Sequence, residues 1–153
     1  MTSSPILLYA FYIGAMFVVG FTTAFLFPPD AWYRALEKPS WNPPDWLFGP
    51  VWTVLYIFIG VAGAKISQSF LPGGAMGLWW AQWALNGAWT ALFFGFHQLG
   101  IALIEILILL AVIVTFIFVA WPLSKTAALL FVPYAAWVGF ATVLNATIFW
   151  MNR

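Results

Sequence analysis

The chain contains no cysteine, a single histidine and very little charge. Its 153 residues include five lysines and arginines and four aspartates and glutamates, so 6% of the side chains are charged. The absence of cysteine excludes disulfides and thiolate metal sites. A net charge of +1 provides no basic field for nucleic acid. The sequence offers no nucleophile with a neighbouring base, no carboxylate pair and no metal cluster, so we expect no metal and no required cofactor.

Hydrophobic residues account for 65% of the chain, and eleven residues are tryptophan. A soluble domain usually carries about 25% charged residues, and a protein of this size could not bury so much apolar surface away from water. The sequence therefore predicts an integral, multi-pass membrane protein. The apolar stretch near the N-terminus is longer than the ~7–15 residues of a signal-peptide core, and we expect it to be retained as a membrane helix.

Five apolar runs are each long enough to cross a hydrocarbon core of ~30 Å as a helix, which takes about 20 residues. Proline, glycine and short polar turns separate them. Backbone groups in lipid must be hydrogen-bonded within their own segment, which favours helices over open sheet. The sequence thus predicts one all-α membrane domain over residues 1–153, a bundle of five transmembrane helices. The predicted spans are residues 6–26, 47–66, 77–96, 99–121 and 126–150, and a long loop covers residues 27–46.

This loop concentrates what the rest of the chain lacks. The stretch WYRALEKPSWNPPDW, residues 32–46, holds four charged residues, three tryptophans and three prolines. Prolines stiffen a loop and indole rings offer flat faces, so the loop is predicted to be a lid that caps a pocket. Its charges keep the outer surface in water or bind an anionic ligand tail, for which Arg34 and Lys38 are the candidates. The predicted lid residues are Trp32, Arg34, Lys38, Pro39, Trp41, Pro43 and Pro44.

Polar and aromatic side chains recur on single faces of the predicted spans, where each polar group is costly and therefore a candidate for function. These faces point to one apolar cavity with few polar groups that opens towards the loop, the usual form of a small-molecule site. In the third span the face comprises Gln82, Asn86, Trp89 or Thr90, Phe93 and His97. In the second and fifth spans it comprises Trp52, Tyr56, Tyr134, Trp137, Ala141 and Asn145.

Several of these residues also suit a purely structural role. Asn86 and Asn145 are equally suited to bridging helices, and Glu105 in the fourth span is either a structural acid or a functional group. His97 lies at a turn, where a solvated role is favoured over axial haem ligation. Small residues repeat every four positions in the third span, which suits close packing within the chain or in a dimer. Tryptophans near span ends are predicted to be interfacial anchors, namely Trp46, Trp79, Trp80, Trp121 and Trp150.

Four blocks of the sequence, in order, resemble the TspO/MBR family of bacterial tryptophan-rich sensory proteins and the mitochondrial translocator protein. The blocks are residues 32–46 quoted above, GPVWTVLY at 49–56, AQWALNGAWTALFFG at 81–95 and VPYAAWVGFATVLN at 132–145. The resemblance implies a five-helix bundle, usually dimeric, with a pocket beneath the loop between the first two helices. We place the expected homodimer contact on the third helix.

The resemblance also implies ligands, namely porphyrins, sterols and synthetic isoquinoline carboxamides. It carries the family's pocket residues over to Tyr33, Trp52, Asn86, Phe93, Trp137 and Ala141. Trp52 and Trp137 match two tryptophans implicated in light-dependent breakdown of porphyrin. The sterol-recognition pattern of animal members needs a tyrosine near the C-terminus, and VLNATIFWMNR has none. Animal-type sterol binding is therefore not expected.

Three functions remain open at this point. The favoured one is a membrane receptor or sensor that binds tetrapyrroles such as protoporphyrin IX, since a free-base porphyrin needs no axial ligand. The second is light-dependent porphyrin degradation, although the sequence has no conventional catalytic group. The third is transport of porphyrins or sterol-like lipophiles, but the spans show no internal repeat of the kind common in transporters. The complete predicted ligand-binding set is Tyr33, Trp52, Tyr56, Asn86, Trp89, Phe93, Trp137, Ala141 and Asn145.

Overall fold

The computed structural model describes residues 4–153, which are helical almost throughout and contain no strand. A π-helix, Ala91–Gly95, directly follows the α-helix Gly73–Thr90. The long helices are α1 (Pro5–Leu26), α3 (Asp45–Ser67), α4 (Gly73–Thr90), α5 (Leu99–Ala120) and α7 (Val132–Met151). The short helices are α2 (Ala31–Ala35) and α6 (Lys125–Leu130).

Four helical segments within residues 4–153 are long and apolar enough to cross a membrane. They are α1, α3, α5 and the stretch Lys125–Met151, which contains α6 and α7. Four of the five predicted spans therefore have the properties of membrane helices. The third does not reach them by composition, because α4 combines Gln82 and Asn86 with glycines and tryptophans.

The helices begin and end at residues that differ from several predicted boundaries. Helix α3 begins at Asp45, directly after Pro44, and α4 begins at Gly73. The predicted fifth span is divided between α6 and α7 around Phe131, since Pro133 lacks the N–H that a continuous helix would need. The predicted loop is not irregular throughout, because it contains α2, which Asp30 caps by accepting from the backbone N–H of Tyr33.

Small residues on α3 allow α1 and α4 to approach it closely. A Cβ atom on Gly60 would lie 2.5 Å from the Cα of Ile13 on α1, and one on Gly63 would lie 2.6 Å from the indole nitrogen of Trp79 on α4. The Trp79 side chain is fully buried, and its Nε1 donates to the carbonyl oxygen of Ile59 at 2.8 Å. The prediction of Trp79 as an interfacial anchor is therefore wrong, because its ring fills the space that the α3 glycines leave.

The small residues of α4 divide between two faces. Gly87 lies against Val19 of α1, where a Cβ atom would come within 2.7 Å of the valine side chain. Gly77, Ala84 and Ala88 are instead exposed on the outer surface of the helix. The first face therefore serves packing within the chain, and the second is open.

The close approach at Gly60 predicts a position-specific effect on stability. Gly60→Ala should destabilise the bundle by about 1–3 kcal/mol, because the added methyl meets the backbone of Ile13. Gly139→Ala is the matched control, since a Cβ atom there has open space around it, and alanine should stabilise that helix by about 0.5–1 kcal/mol. Thermal unfolding of the detergent-solubilised variants measures both effects, and equal melting temperatures for the two would contradict this packing.

Candidate functional site

A cavity of about 410 Å³ lies among α1, α3, α4 with its π-helix, α5, α7 and the loop. Its lining is mostly aromatic and aliphatic, with a few amide and hydroxyl groups and one carboxyl group, that of Asp45. This volume is in the range of ~300–1,000 Å³ that is usual for small-molecule sites. The structure brings all nine predicted ligand-binding residues to its walls, namely Tyr33, Trp52, Tyr56, Asn86, Trp89, Phe93, Trp137, Ala141 and Asn145.

Helical spacing explains why these side chains meet. Trp52 and Tyr56 are four residues apart on α3, so they point the same way, and their ring centroids are 5.4 Å apart. Trp137 and Ala141 have the same spacing on α7. The Trp137 ring is held at its edges by Phe48 of α3, at a centroid distance of 5.8 Å, and by Phe140, at 5.6 Å. The two tryptophans thus enter one cavity from different helices.

A buried relay of hydrogen bonds orients the amide of Asn86. The Tyr134 hydroxyl donates to Oε1 of Gln82 at 2.9 Å and accepts from Nδ2 of Asn86 at 3.0 Å. The Tyr56 hydroxyl donates more weakly to Oδ1 of Asn86, at 3.5 Å. Gln82 and Tyr134 are both fully buried and do not line the cavity. They therefore act on the cavity through Asn86, whose side chain they hold in one orientation.

A second set of hydrogen bonds joins three helices around Asn145. Its Oδ1 accepts from the indole N–H of Trp89 at 3.0 Å, and its Nδ2 donates to the carbonyl oxygen of Leu99 at 3.0 Å. These contacts tie α7 to α4 and to the start of α5. The helix-bridging role considered for Asn145 is therefore present in the structure. Trp89 is left to offer the face of its ring, rather than its N–H, to the cavity.

The π-helix supplies one wall and was not anticipated from the sequence. Phe93 within it is 3% exposed and packs on Trp89, with ring centroids 4.9 Å apart, and on Tyr33 of α2, at 6.1 Å. Gly95 lies directly against the ring of Phe27, where a larger residue would not fit. A π-turn within an α-helix is often associated with a functional site.

The loop contributes fewer side chains to the cavity than predicted. None of the seven predicted lid residues lines it; Tyr33 of α2 does, together with Phe27 and Pro29. Burial raises the pKa of the Tyr33 phenol above its usual value. Three of the seven predicted lid residues are prolines, and they belong to the part of the loop that does not line the cavity, namely Pro39, Pro43 and Pro44.

The lid side chains contact other parts of the bundle instead. Trp41 packs on Phe140 of α7 at a centroid distance of 5.8 Å. The ammonium group of Lys38 donates to the carbonyl oxygens of Tyr33 at 2.6 Å and Leu36 at 3.1 Å, so it is committed to the loop itself. Of the two cations considered for an anionic ligand tail, this leaves Arg34, which is exposed.

The loop is fastened to the turn between the π-helix and α5. Nε2 of His97 lies 3.0 Å from Oδ2 of Asp30, and the His97 ring stacks on Trp32 at 4.0 Å between centroids. His97 has a φ of 56°, a left-handed conformation that non-glycine residues rarely adopt. The single histidine is thus a contact between loop and turn, and it does not line the cavity.

Glu105 does not belong to the cavity either. It is 8% exposed on α5, and neither carboxyl oxygen has a hydrogen-bond partner among residues 4–153. In the same part of the chain no group of three or more histidine, aspartate or glutamate side chains is arranged to hold a metal ion.

Helix α1 contributes cavity residues that no pattern in the sequence indicates. Gly20 lies directly against the ring of Tyr56, which lets α1 form a wall. The only polar side chain of α1 in this lining is Thr23, whose hydroxyl donates to the carbonyl oxygen of Val19 in its own helix, so no amide or charged residue marks the inward face. The α1 residues that line the cavity are Phe17, Gly20, Phe21, Thr23 and Ala24.

The Asp30 cap predicts that the order of the loop depends on pH. Donation from the backbone N–H of Tyr33 holds the pKa of Asp30 below its ordinary value of 3.8. The ionised carboxylate therefore stabilises the folded loop above that value, and the contribution is lost as the pH falls through the lowered folded pKa. Hydrogen-exchange protection at Tyr33, normalised for the intrinsic rate, should decrease below about pH 4.

Asp30→Asn is the control for this effect, because an asparagine oxygen caps a helix about as well but does not titrate. Its protection at Tyr33 should stay constant down to about pH 3. A variant that lost protection with the pH profile of the natural chain would show that Asp30 is not the titrating group.

The family of the chain follows from comparison with known proteins. The model of the TspO/MBR family matches residues 8–151. The tryptophan-rich protein TspO of Chlorobaculum tepidum is 43% identical, over 98% of this chain and 99% of its own length. The protein CrtK of Rhodobacter capsulatus is 39% identical, over 95% of this chain and 92% of its own length. The translocator protein of Homo sapiens is 37% identical, over 80% and 75% respectively. The resemblance drawn from four sequence blocks is confirmed: the chain belongs to the TspO/MBR family and is an integral membrane protein.

Proposed function

We propose that this protein is a membrane receptor that binds tetrapyrroles such as protoporphyrin IX, and related flat apolar ligands, in the cavity between its helices. The observation that carries the proposal is the cavity itself, about 410 Å³ in volume, with two tryptophan rings entering it from different helices. Flat polycyclic ligands are suited to such a site because they bury a large area against aromatic faces. The family membership supports the same ligand class.

The hydrogen bonds around the cavity support a ligand that binds mainly through ring contact. Trp89 and Asn145 are bonded to each other, and one N–H of Asn86 is bonded to Tyr134. The Tyr56 hydroxyl and Oδ1 of Asn86 are bonded weakly to each other. The other polar groups that the lining residues can offer a ligand are few, and they include the indole N–H groups of Trp52 and Trp137, the hydroxyl of Thr90 and the carboxyl group of Asp45. A free-base porphyrin, which needs no axial ligand, is compatible with this arrangement. Exposed Arg34 is the loop cation that we assign to the ligand's carboxylates.

We propose that α4 and its π-helix together form a fifth membrane span. With 18 and five residues they are long enough at ~1.5 Å per residue to cross the hydrocarbon core. The polar groups of α4 do not oppose this, because Gln82 and Asn86 are buried and hydrogen-bonded inside the bundle. The loop then covers the cavity on one side of the membrane, with Tyr33 as its inward side chain.

A dark titration with protoporphyrin IX tests the ligand proposal. Binding should quench tryptophan fluorescence of the purified protein in a saturable way, and affinity should decrease about five- to tenfold when Trp52 and Trp137 are both replaced by phenylalanine. The reason is that the smaller rings lose contact area against the macrocycle. Trp121→Phe is the matched control, since Trp121 lies exposed beyond the end of α5 and should leave the affinity unchanged.

Quenching that never saturates, or that is identical in the double variant, would mean that the porphyrin only partitions into detergent. The cavity would then need a different occupant, and the ligand proposal would fail. Saturable quenching that is weakened only by the cavity variants would support it.

A second candidate function is light-dependent breakdown of the bound porphyrin. It is favoured by one observation, that Trp52 and Trp137 line the same cavity and their indole N–H groups donate to no protein acceptor in residues 4–153. An excited porphyrin can take an electron from an indole, and dioxygen would be the final oxidant. Illumination of the titrated samples separates the two functions, because a receptor alone leaves porphyrin loss at the rate seen in buffer.

We also propose a homodimer that forms through the open face of α4. Its exposed small residues would allow two helices to approach closely. Ala84→Trp should shift the detergent-solubilised protein from dimer to monomer in light scattering, whereas Ala111→Trp on the outer face of α5 should not. A dimer that persists with a tryptophan at position 84 would place the contact elsewhere.

A further inference from the structure

A second concavity lies on the outside of the bundle, in the groove between α3 and α7. Its volume is about 570 Å³, and no charged residue lines it. Val54 on one wall and Ala136 on the other are exposed, so the groove faces outward. In a membrane-spanning bundle an outward apolar groove is in contact with lipid. The lining residues are Pro50, Val51, Val54, Leu55, Phe58, Pro133, Ala136, Trp137 and Phe140.

Trp137 lines both this groove and the internal cavity. It is the residue that the two spaces share, so its indole ring stands between lipid and cavity. The partition continues on both sides as ring contacts: Phe48 touches Trp137 from α3, and Phe140 touches it from α7. Trp41 of the loop packs on Phe140 in turn.

The Trp137 ring is held differently from the tryptophans of the core. The indole N–H groups of Trp79, Trp83 and Trp89 each donate to an oxygen at 2.8–3.0 Å, so turning any of these rings breaks a hydrogen bond. Within residues 4–153 the N–H of Trp137 has no such acceptor. A rotation of Trp137 therefore breaks ring contacts but no hydrogen bond of its N–H group.

The backbone of one wall of the groove lacks a helical hydrogen bond. Pro50 lies inside α3 and cannot donate the hydrogen bond that would close its turn. A proline inside a helix is a position where the helix can bend. Pro133 on the other wall lies in the first turn of α7, where a backbone N–H has no acceptor within the helix.

We propose that the α3–α7 groove is the entry site for flat apolar ligands dissolved in the bilayer, and that Trp137 is the gate between the groove and the cavity. The occupant follows from the surroundings: the groove has no charge, faces lipid and is separated by one side chain from a cavity lined with aromatic rings. The inference rests on the proposed ligand-binding function of that cavity.

The absence of cysteine allows a direct test with one reporter thiol. Ala141 lines the cavity one turn beyond Trp137, so Ala141→Cys reports on molecules that reach the interior. The full-length protein in phosphatidylcholine vesicles is treated with pyrenylmaleimide, which dissolves in the bilayer. Adding Ala136→Trp, which fills the groove, should slow labelling by at least about fivefold, whereas adding Ala111→Trp on lipid-facing α5 should change it by less than about twofold.

A sulfonated, membrane-impermeant maleimide serves as the second control, because it reaches the cavity only from water. Its labelling rate should be the same with and without Ala136→Trp. If Ala136→Trp leaves pyrenylmaleimide labelling at the parent rate, ligands do not enter through the groove. If Ala136→Trp slows labelling by both reagents to the same extent, the substitution has altered the cavity itself. Entry through the groove then does not explain the slower labelling, and the proposal fails.

Ligand kinetics then separate this inference from the proposed function. In the otherwise natural chain, Ala136→Trp should slow association and dissociation of protoporphyrin IX by the same factor and leave Kd within about twofold. Phe140→Ala, which removes a support of Trp137 without touching the cavity lining, should accelerate both rates. If labelling falls but the porphyrin never binds saturably, the entry site stands and the ligand proposal fails. If the porphyrin binds saturably and Ala136→Trp leaves its association and dissociation rates unchanged, the ligand proposal stands and the entry site fails.

Discussion

Polar side chains inside an apolar bundle must hydrogen-bond to one another, and the form of the cavity depends on this constraint. A buried amide or hydroxyl without a partner is costly, since neither lipid nor packed side chains can replace water. Tyr134 meets the requirement by joining Gln82 to Asn86, and Asn145 meets it by joining Trp89 to Leu99. Each of these bonds also fixes the distance between two helices. The cavity is the space that remains between the helices held at these distances.

Five of the eleven tryptophans differ by the same criterion, namely whether the indole N–H has an acceptor in the protein. Trp79, Trp83 and Trp89 donate their N–H groups to the protein and act as fixed struts between helices. Trp52 and Trp137 make ring contacts only and line the cavity. Tryptophan thus serves two purposes in this protein: some indole rings hold helices together through hydrogen bonds, and others present faces that only ring contacts hold in place. Glycines on α3 make the first possible by leaving room for an indole in the core.

Much of the fold and of the site follows from local sequence patterns. Apolar length and proline position predict the long helices to within a few residues of their ends, although not the division between α6 and α7. Residue spacing predicts that Trp52, Asn86 and Trp137 meet at one cavity. What the sequence does not predict depends on contacts between distant segments. The inward face of α1 has no amide or charged residue to mark it, and the hydroxyl of Thr23 is bonded within the helix. The loop tryptophans pack on His97 and Phe140, which are far away in the chain, so their role as cavity lid was inferred from composition alone.

The π-helix has a consequence for how residue count translates into direction. An α-helix turns about 100° per residue, so side chains four positions apart, such as Trp89 and Phe93, are about 40° out of line. A wider turn rotates less per residue and reduces that difference, so that Phe93 faces the cavity with Trp89. The segment 91–95 thus changes the direction in which the side chains at the end of this helix point. Along this helix, a deletion of one residue would be more disruptive than many substitutions, because it would re-aim every side chain that follows.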